Sequence, residues 1–468
     1  MRIKQFLFVL IAAGIFAGCK KDYLDINEVN PNQTENPPIN GLLATATYQS
    51  GLNVYRAANI TAYYTQQLAS PNASSGSDIY DNVDRSSLWY NVYNTIRDIR
   101  VMREIATTNN SYQHVGVAKV LEAFNMSMLI DFFGDAPYSE AWDPTNFNPV
   151  YDSGEEIFNS SLTLLDEAIV EFNKADPATT LNPASDFIHG GSISNWIKTA
   201  HALKARLLNR LSKTGSYNPA SILTALDNAY ESNSDDAQIT SFIGRSPWNQ
   251  AAYNNTVLLL DAWLSEQFVD ALDGTTFGVE DPRLKHIATL TQFGDYRGTP
   301  NGEGRVGTGT DDEESYLSLD GFYSKAGAPL LLITYAEMKF IEAEAKFAND
   351  KPGSYAAYLE GIEANMDKIG VAPAEKNAYL ANPVVAPGVA GFTMDHIFKE
   401  KYIAMFLQPE AWTDARRYDY QYEDFTLPAN ALLSTFIRRV DYPSTEQDRN
   451  GANVPTVSGL DQKLWWDQ

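Results

Sequence analysis

The residues best suited to binding a ligand lie where an irregular segment meets a helical pattern. They are Tyr80, Asp81, Asn82, Arg85 and Trp89. A sugar ring stacks its C–H face on an aromatic plane, and its hydroxyl groups need fixed polar partners, so apolar walls with a few convergent polar groups suit it. We therefore expect a sugar to stack on Tyr80, to hydrogen-bond to Asp81, Asn82 and Arg85, and to rest on Trp89.

Two alternatives to this site remain open. Trp89 is followed by Tyr93 and Ile96 at 4-3 spacing, which is typical of the buried face of a helix. In that case the exposed ligand residues would be Tyr80 and the polar residues of the loop. The second alternative places the ligand on the irregular segment 273–326, through Tyr296, Tyr316 and Tyr323.

The only cysteine, Cys19, follows an N-terminus of secretory type. Arg2 and Lys4 precede an apolar stretch that is shorter than the ~20 residues of a membrane-spanning helix, and two small residues come directly before the cysteine. The order Ala-Gly-Cys resembles a lipobox, in which the thiol is acylated. We predict a signal peptide over residues 1–18 and a lipid anchor on Cys19. The alternative is a soluble secreted protein whose cysteine is incidental.

The chain is strongly acidic, with 59 Asp and Glu against 35 Lys and Arg and a formal charge of −24. Loss of Arg2 and Lys4 with the signal peptide would take this charge to −26. Such a surface repels phosphate backbones, so we expect no nucleic acid partner. A single cysteine allows no intramolecular disulfide, so stability must come from buried apolar residues, for which the chain is long enough.

The sequence lacks the signatures of common catalytic sites. No H-E-x-x-H, G-x-S-x-G or S-x-x-K occurs, and the five histidines are scattered singly. Residues 302–307 fit the dinucleotide-binding spacing G-x-G-x-x-G, but the acidic run 311–314 follows instead of a helix. That run could hold a calcium ion, although a solvated loop is the simpler interpretation. Carboxylates are numerous enough for a glycosidase pair, but no two are distinguished from the rest. We expect no catalytic residue, metal or cofactor.

Helical periodicity dominates the rest of the chain. Apolar stripes at three- and four-residue spacing predict helices near residues 117–128, 154–174, 196–207, 333–347 and 397–406. Ser194 is the expected N-cap of the third helix, and Pro409 must start a new turn after the last. Helices in pairs with short connectors suggest a tetratricopeptide-type α-solenoid.

Long irregular segments interrupt these helices, at about residues 69–87, 240–255, 273–326 and 420–468. They are rich in Tyr, Trp, Asn and Asp, so we expect an ordered, loop-rich layer over the helices. The predicted fold is mainly α. The predicted organisation is a signal peptide (1–18), an Asn- and Pro-rich tether (19–39) and one domain (40–468), with loop insertions at about 240–326 and 420–468.

Six groups of short motifs occur in order along nearly the whole chain. They are Cys19–Asp25 with Asn30-Pro31-Asn32, Trp89-x-x-x-Tyr93-x-x-Ile96, Asp131–Tyr138, Ala202–Arg206, Tyr335–Ala345 with Glu400-Lys401-Tyr402, and Trp412-x-Asp414-x-Arg416-Arg417. Together they resemble the SusD/RagB-type nutrient-binding outer-membrane lipoproteins of the Bacteroidota. The segment 408–412 departs from many relatives, which have a glycine there; this indicates a divergent branch and leaves the substrate open.

The resemblance implies a tetratricopeptide-like scaffold with irregular loops and a protein that is not an enzyme. It implies a cell-surface, lipid-anchored outer-membrane protein that binds a nutrient, often a glycan, and acts as the lid of a SusC-type TonB-dependent transporter. It also implies that the ligand site includes the Trp89 region, and that Glu410, Asp414 and Arg417 form buried or half-buried ion pairs of the scaffold. Two other functions stay open: a lipid-anchored glycoside hydrolase, and a structural transporter lid without a ligand of its own.

Overall fold

The computed structural model describes residues 37–468. The predicted signal peptide, Cys19 and the tether up to residue 36 lie outside the described residues. Within 37–468 the chain forms fifteen α-helices and four short strands. The prediction of a mainly α fold with a loop-rich irregular layer is confirmed, whereas the proposed domain boundaries stay predictions.

The helices are α1 (Ile39–Tyr64), α2 (Ser86–Thr108), α3 (Tyr112–Phe133), α4 (Gly154–Phe172), α5 (Ile193–Arg210), α6 (Pro219–Leu226), α7 (Pro247–Thr256), α8 (Glu266–Asp273), α9 (Tyr335–Lys346), α10 (Lys351–Ile369), α11 (Pro373–Leu380), α12 (Gly388–Gly391), α13 (Met394–Ala404), α14 (Glu410–Arg417) and α15 (Ser444–Asn450). The strands are β1 (Leu68–Ala69), β2 (Ala237–Ile239), β3 (Trp263–Leu264) and β4 (Leu330–Ile333). β1 pairs with β3, and β2 with β4, both antiparallel.

Neighbouring helices in the sequence pack against each other. From α1 to α6 each helix contacts the next, and α9 packs on α10 and on α13. Only three residues join α2 to α3 and four join α9 to α10, so each of these pairs is a helical hairpin. This succession of pairs confirms the predicted tetratricopeptide-like scaffold.

Buried amides fix α2 against its neighbours. The Asn53 side chain, from α1, donates to Thr95 Oγ1 of α2 at 3.0 Å and to Asn125 Oδ1 of α3 at 2.9 Å. Asn125 in turn donates to Ser50 Oγ at 2.9 Å. All four side chains are buried, and a satisfied buried network strongly specifies the register of the helices that it joins. The outer face of α2 is therefore held in a defined position.

Four charged side chains form a closed network between α9, α13 and α14. Glu344 accepts from Lys401 and Arg417 at 2.8 Å each. Asp414 accepts from the same two cations at 3.0 and 2.6 Å. The predicted ion pairs of Asp414 and Arg417 are confirmed. Glu410 likewise pairs with Arg210 at 2.9 Å.

The loop-rich layer joins segments that are far apart in the sequence. Ser74 N donates to Gly302 O at 2.9 Å, Ala429 N to Asn301 O at 3.0 Å, and Leu432 N to Ile79 O at 2.8 Å. Gly302 has φ +84°, and a Cβ atom there would lie 1.9 Å from Ala429 O. Only glycine permits this approach, so the glycines at 302 and 304 serve loop packing.

Two local predictions were wrong. The segment 240–255 was predicted to be irregular, but it contains α7, which begins at Pro247 after the N-cap Ser246. The N-cap of α5 is Ser192, which accepts from Asn195 N, and Ser194 lies inside the helix.

The acidic run 311–314 folds back on its own loop, since Glu314 and Glu313 accept from the backbone N–H groups of Val306 and Thr308.

Candidate functional site: a groove along helix α2

The structure buries two of the five ligand residues predicted from the sequence. Tyr80 is 1% exposed and packs edge-on against Tyr64, with ring centroids 6.1 Å apart. The prediction that Tyr80 is exposed is therefore wrong. The backbone of Leu432 binds that of Ile79 at 2.8 Å, so a segment about 350 residues away in the sequence covers this loop.

Trp89 is 3% exposed and lies between Phe133 and Tyr93, each with a ring-centroid distance of 4.9 Å. The alternative interpretation of Trp89, as part of the buried face of a helix, is confirmed, because Ile96 is fully buried as well.

The three polar residues of this group divide into one half-buried and two exposed side chains. Arg85 donates to Tyr64 Oη at 2.9 Å and to Ser77 Oγ at 3.1 Å. Asp81 and Asn82 are exposed, and Asn82 donates to Asp441 Oδ2 at 2.9 Å. These two are the accessible members of the group, and its role in ligand binding stays a prediction.

The aromatic cluster reaches the surface one turn beyond Trp89. Tyr93 contacts Trp89 on one side and Trp142 on the other, with centroid distances of 4.9 and 6.0 Å. Both Tyr93 and Trp142 are half-buried and line a groove of about 730 Å³. This volume lies within the ~300–1,000 Å³ that ligand sites usually have.

The groove, which we call the α2 groove, runs between the outer face of α2 and the loop 134–152. α2 contributes residues at helical spacing, among them Asn94, Arg97, Val101 and Glu104. The loop contributes residues 141–144, including Trp142 and Asp143.

The loop is closed at its base by an antiparallel bridge between Ala136 and Asp152. Asp152 Oδ2 also accepts from the backbone N–H groups of Tyr138 and Ser139 at 2.8 Å each. A closed base fixes both ends of the loop and so places Trp142 over α2.

A buried carboxylate organises the arginines of the groove. Glu122 of α3 is fully buried and accepts from Arg100 and Arg103 at 2.5 Å each and from Tyr138 Oη at 3.0 Å. Burial, and then the charge of Glu122, raise the pKa of Tyr138, so its hydroxyl stays protonated. The guanidinium of Arg100 lies 4.8 Å from the ring centroid of Trp142. Arg100 is thus held from two sides before any ligand enters.

The groove combines an aromatic plane with positively charged hydrogen-bond donors and negatively charged acceptors. Arg97, whose side chain is 64% exposed, supplies donors, and Glu104 and Asp143 supply carboxylates. This arrangement suits a ring that is apolar on one face and carries hydroxyl groups at its edge.

The residues predicted from the sequence to bind a ligand do not include Trp142, because the segment 134–152 is not one of the predicted irregular segments. A tryptophan directly before Asp143-Pro144 and among Asn and Thr residues is the signal that could have identified it, since such residues form turns at the surface.

The alternative site on 273–326 is only partly accessible. Tyr323 is buried, whereas Tyr296 and Tyr316 are half-buried. Tyr316 Oη donates to Asp312 at 3.0 Å. Tyr296 lines a separate cavity of about 400 Å³. Among residues 37–468, no group of three or more His, Cys, Asp or Glu side chains is placed to hold a metal ion.

Residues 31–443 match the SusD-like family described as starch-binding and associating with the outer membrane. The chain belongs to this family. SusD-like proteins are binding proteins found at the outer membrane. No curated protein is significantly similar in sequence to this SusD-like chain. Across 37–468, no helix has both the length and the hydropathy that crossing a membrane would require.

Solved structures of SusD-like proteins share the fold. A SusD/RagB family protein from Bacteroides thetaiotaomicron is 19% identical, with a TM-score of 0.77 over 92% of this chain and 99% of that one. A SusD homolog from Bacteroides fragilis is 22% identical, with a TM-score of 0.76 over 93% and 100%. A chitin-binding SusD homolog from Flavobacterium johnsoniae is 20% identical, with a TM-score of 0.76 over 92% and 98%.

Proposed function

We propose that this SusD-like protein is a cell-surface lipoprotein that binds an oligosaccharide in the α2 groove and delivers it to a SusC-like TonB-dependent transporter. The observation that carries the binding role is the half-buried Trp142 beside Arg100, which Glu122 holds in place. A prepared aromatic wall with fixed donors lowers the entropy lost when a flexible sugar chain binds. The family description and the chitin-binding relative support a glycan as the ligand.

Each part of the groove has a role in this proposal. Trp142 and Tyr93 offer apolar surface to the sugar ring. Arg97 and Asn94 donate to ring hydroxyl groups, and Glu104 accepts from them. Because the ligand is neutral and displaces few counterions, we expect its affinity to change little with salt.

Trp142→Ala is expected to weaken oligosaccharide binding by about 1–3 kcal/mol, by analogy with other ring-on-aromatic contacts. This corresponds to roughly a 5- to 150-fold rise in Kd. Calorimetric titration of the protein with maltoheptaose and with chitohexaose measures the change.

The matched control is Phe147→Ala. Phe147 lies on the same loop and is 84% exposed, but it does not line the groove, so this variant should bind as the parent does. Circular dichroism checks that both variants fold. Equal affinity of the parent and Trp142→Ala would contradict ligand binding in the α2 groove. Loss of binding only in the double variant Asp81→Ala/Asn82→Ala would favour the site predicted from the sequence.

The proposed anchor is the acylated Cys19. One acyl chain binds a membrane only marginally, whereas the several chains of an acylated N-terminal cysteine hold a protein firmly. Cys19→Ala is expected to move most of the protein from the outer-membrane fraction to the soluble fraction, as immunoblotting of fractionated cells would show. Full retention in the membrane would rule out this anchor.

The proposed lid function needs a surface that contacts the transporter. Leu258 and Leu259 are more than half exposed, and Leu260 packs beside Gly309 in the loop that carries the exposed Val306. Apolar side chains grouped in this way are typical of protein contact sites. Leu258→Asp/Leu259→Asp should reduce co-purification of the transporter, whereas the exposed Leu432→Asp serves as the control. Unchanged recovery of the transporter would place the contact elsewhere.

A further inference from the structure

A further cavity lies between α13 and the turn 418–423, and it shares no residue with the α2 groove. Its volume is about 220 Å³. Its walls include Phe277, His396, Lys399, Tyr418 and Tyr422.

The ammonium group of Lys399 is buried in this wall without a hydrogen-bond partner in the described part of the chain. The side chain is nine-tenths buried, and Nζ lies 4.3 Å from the ring centroid of Phe277. Its charge is balanced by Glu400, 3.3 Å away. That carboxylate is already engaged by Arg283 and by Tyr379 Oη. Within residues 37–468, Lys399 therefore forms an ion pair with Glu400 but no hydrogen bond.

The hydroxyl group of Tyr422 is the second buried polar atom of this cavity for which residues 37–468 supply no hydrogen-bond partner. Its ring is wedged between aromatic neighbours, with the centroid of Tyr402 at 5.0 Å and that of Tyr418 at 5.2 Å. Burial raises the pKa of Tyr422, so the hydroxyl is neutral and can both donate and accept. Both atoms belong to residues that line the cavity, and each lacks the partner that buried polar groups almost always have.

Two further rings of the wall, those of Tyr418 and His396, are fixed by contacts with their neighbours. Tyr418 stacks flat on Phe398, with centroids 4.2 Å apart, and its hydroxyl binds Asp395. Burial lowers the pKa of His396, so the ring is neutral at pH 7. Thr393 N donates to Nδ1 of that ring, which places the ring proton on Nε2.

We propose that this cavity is a second carbohydrate site, which takes a single neutral pyranose residue and offers it Lys399 and Tyr422 as hydrogen-bond partners. The aromatic walls provide the apolar surface for the ring. The cavity is smaller than sites for longer ligands. Asp395 and Glu423 at its rim outweigh the single charge of Lys399 and disfavour an anion.

This inference rests on the proposed function for the class of ligand, but not on the α2 groove. Nζ of Lys399 and Oη of Tyr422 are both closed to bulk water. A bound sugar therefore requires a small rotation of each side chain toward the cavity, as in the rotamer changes that are common at binding sites.

Saturation-transfer NMR with methyl α-D-glucopyranoside and methyl N-acetyl-β-D-glucosaminide tests the cavity. The protein should give a signal with at least one of the two probes. Lys399→Met, which keeps the aliphatic stem, and Tyr422→Phe, which removes only the hydroxyl, should each reduce that signal at least fivefold. The control Lys346→Met, on the outer side of α9, should not. Thermal melts show whether each variant folds.

The outcomes separate this proposal from the α2 groove. A monosaccharide signal that survives Trp142→Ala but is lost in Tyr422→Phe supports the cavity, whatever happens to oligosaccharide binding. A signal that is lost only in Trp142→Ala overturns the cavity and leaves the groove intact. Absence of a signal from both probes, or an unchanged signal in folded Lys399→Met and Tyr422→Phe, also overturns it.

Discussion

Glu344→Ala is expected to destabilise the protein by about 3–5 kcal/mol, because it leaves two buried cations with a single carboxylate. Lys401 and Arg417 are each only 2% exposed at the side chain, and Asp414 would be the one remaining carboxylate in the network. Little of either side chain is in contact with water, so the excess positive charge would be poorly solvated. Urea denaturation followed by circular dichroism measures the difference in the free energy of unfolding.

The same network makes a prediction for pH. Burial alone would raise the pKa of Glu344, but the charges of Arg417 and Lys401 outweigh it and lower the pKa to about 2. A carboxyl group whose pKa is lower in the folded state stabilises the protein above its unfolded pKa of about 4.3, and that contribution is lost as the pH falls toward the folded pKa. The difference between the parent and Glu344→Ala should therefore be full at pH 7 and should shrink below about pH 4.

An exposed glutamate provides the control. Glu167 pairs with Lys119 at 2.8 Å, but half of its side chain is in solvent, so Glu167→Ala should cost less than about 1 kcal/mol. In a double-mutant cycle, Lys401→Met should cost less in the Glu344→Ala background than in the parent. Additive effects in this cycle would show that the four charges do not act as one network.

Phe340→Ala is expected to cost about 3–5 kcal/mol, as large-to-small changes in a packed core do. Phe340 is fully buried in α9, and its ring lies over Gly361 of α10, where a Cβ atom would come within 3.1 Å of it. The ring thus fills the space that the glycine leaves between the two helices. Alanine would leave a cavity at the centre of this hairpin.

The urea midpoint of Phe340→Ala should fall with little change in the slope of the transition. Phe340→Leu retains most of the volume and should lose less. Phe147→Ala, at an exposed phenylalanine, should stay within about 0.5 kcal/mol of the parent. A cost below about 1 kcal/mol for Phe340→Ala would mean that the two helices close over the missing ring.

The helical scaffold was predictable because its signal is local. The stripe of Val117, Leu121, Phe124 and Met128 is buried in α3, and a period of 3.6 residues needs no knowledge of the partner helix. The ion pairs of Asp414 and Arg417, in contrast, were expected only from the resemblance to the family. Helix ends were less certain, as the shift of the N-cap from Ser194 to Ser192 shows, since both residues can cap a helix.

The site was less predictable because exposure depends on distant segments. Tyr80 lies in a polar loop, and nothing near it in the sequence indicates that residues around Leu432 cover it. Trp142 reaches the groove because Asp152 closes its loop and α2 lies opposite. An aromatic residue in the sequence can face the core or the solvent, and long-range packing decides between the two.

The contacts that join residues 70–80 to residues around 302 and 430 also bear on the order in which the chain folds. Contacts between residues more than 200 positions apart form slowly, because the entropy of closing such large loops opposes them. Helices α2 to α4 are close in the sequence and can pair early in folding. The loop-rich layer cannot be completed until the last tenth of the chain is present. We therefore expect pulsed hydrogen exchange to protect Asn125 and its neighbours early and the backbone of Ser74 last. A chain truncated before residue 430 should therefore have a folded helical scaffold, but its loop-rich layer should be incompletely packed and sensitive to proteases.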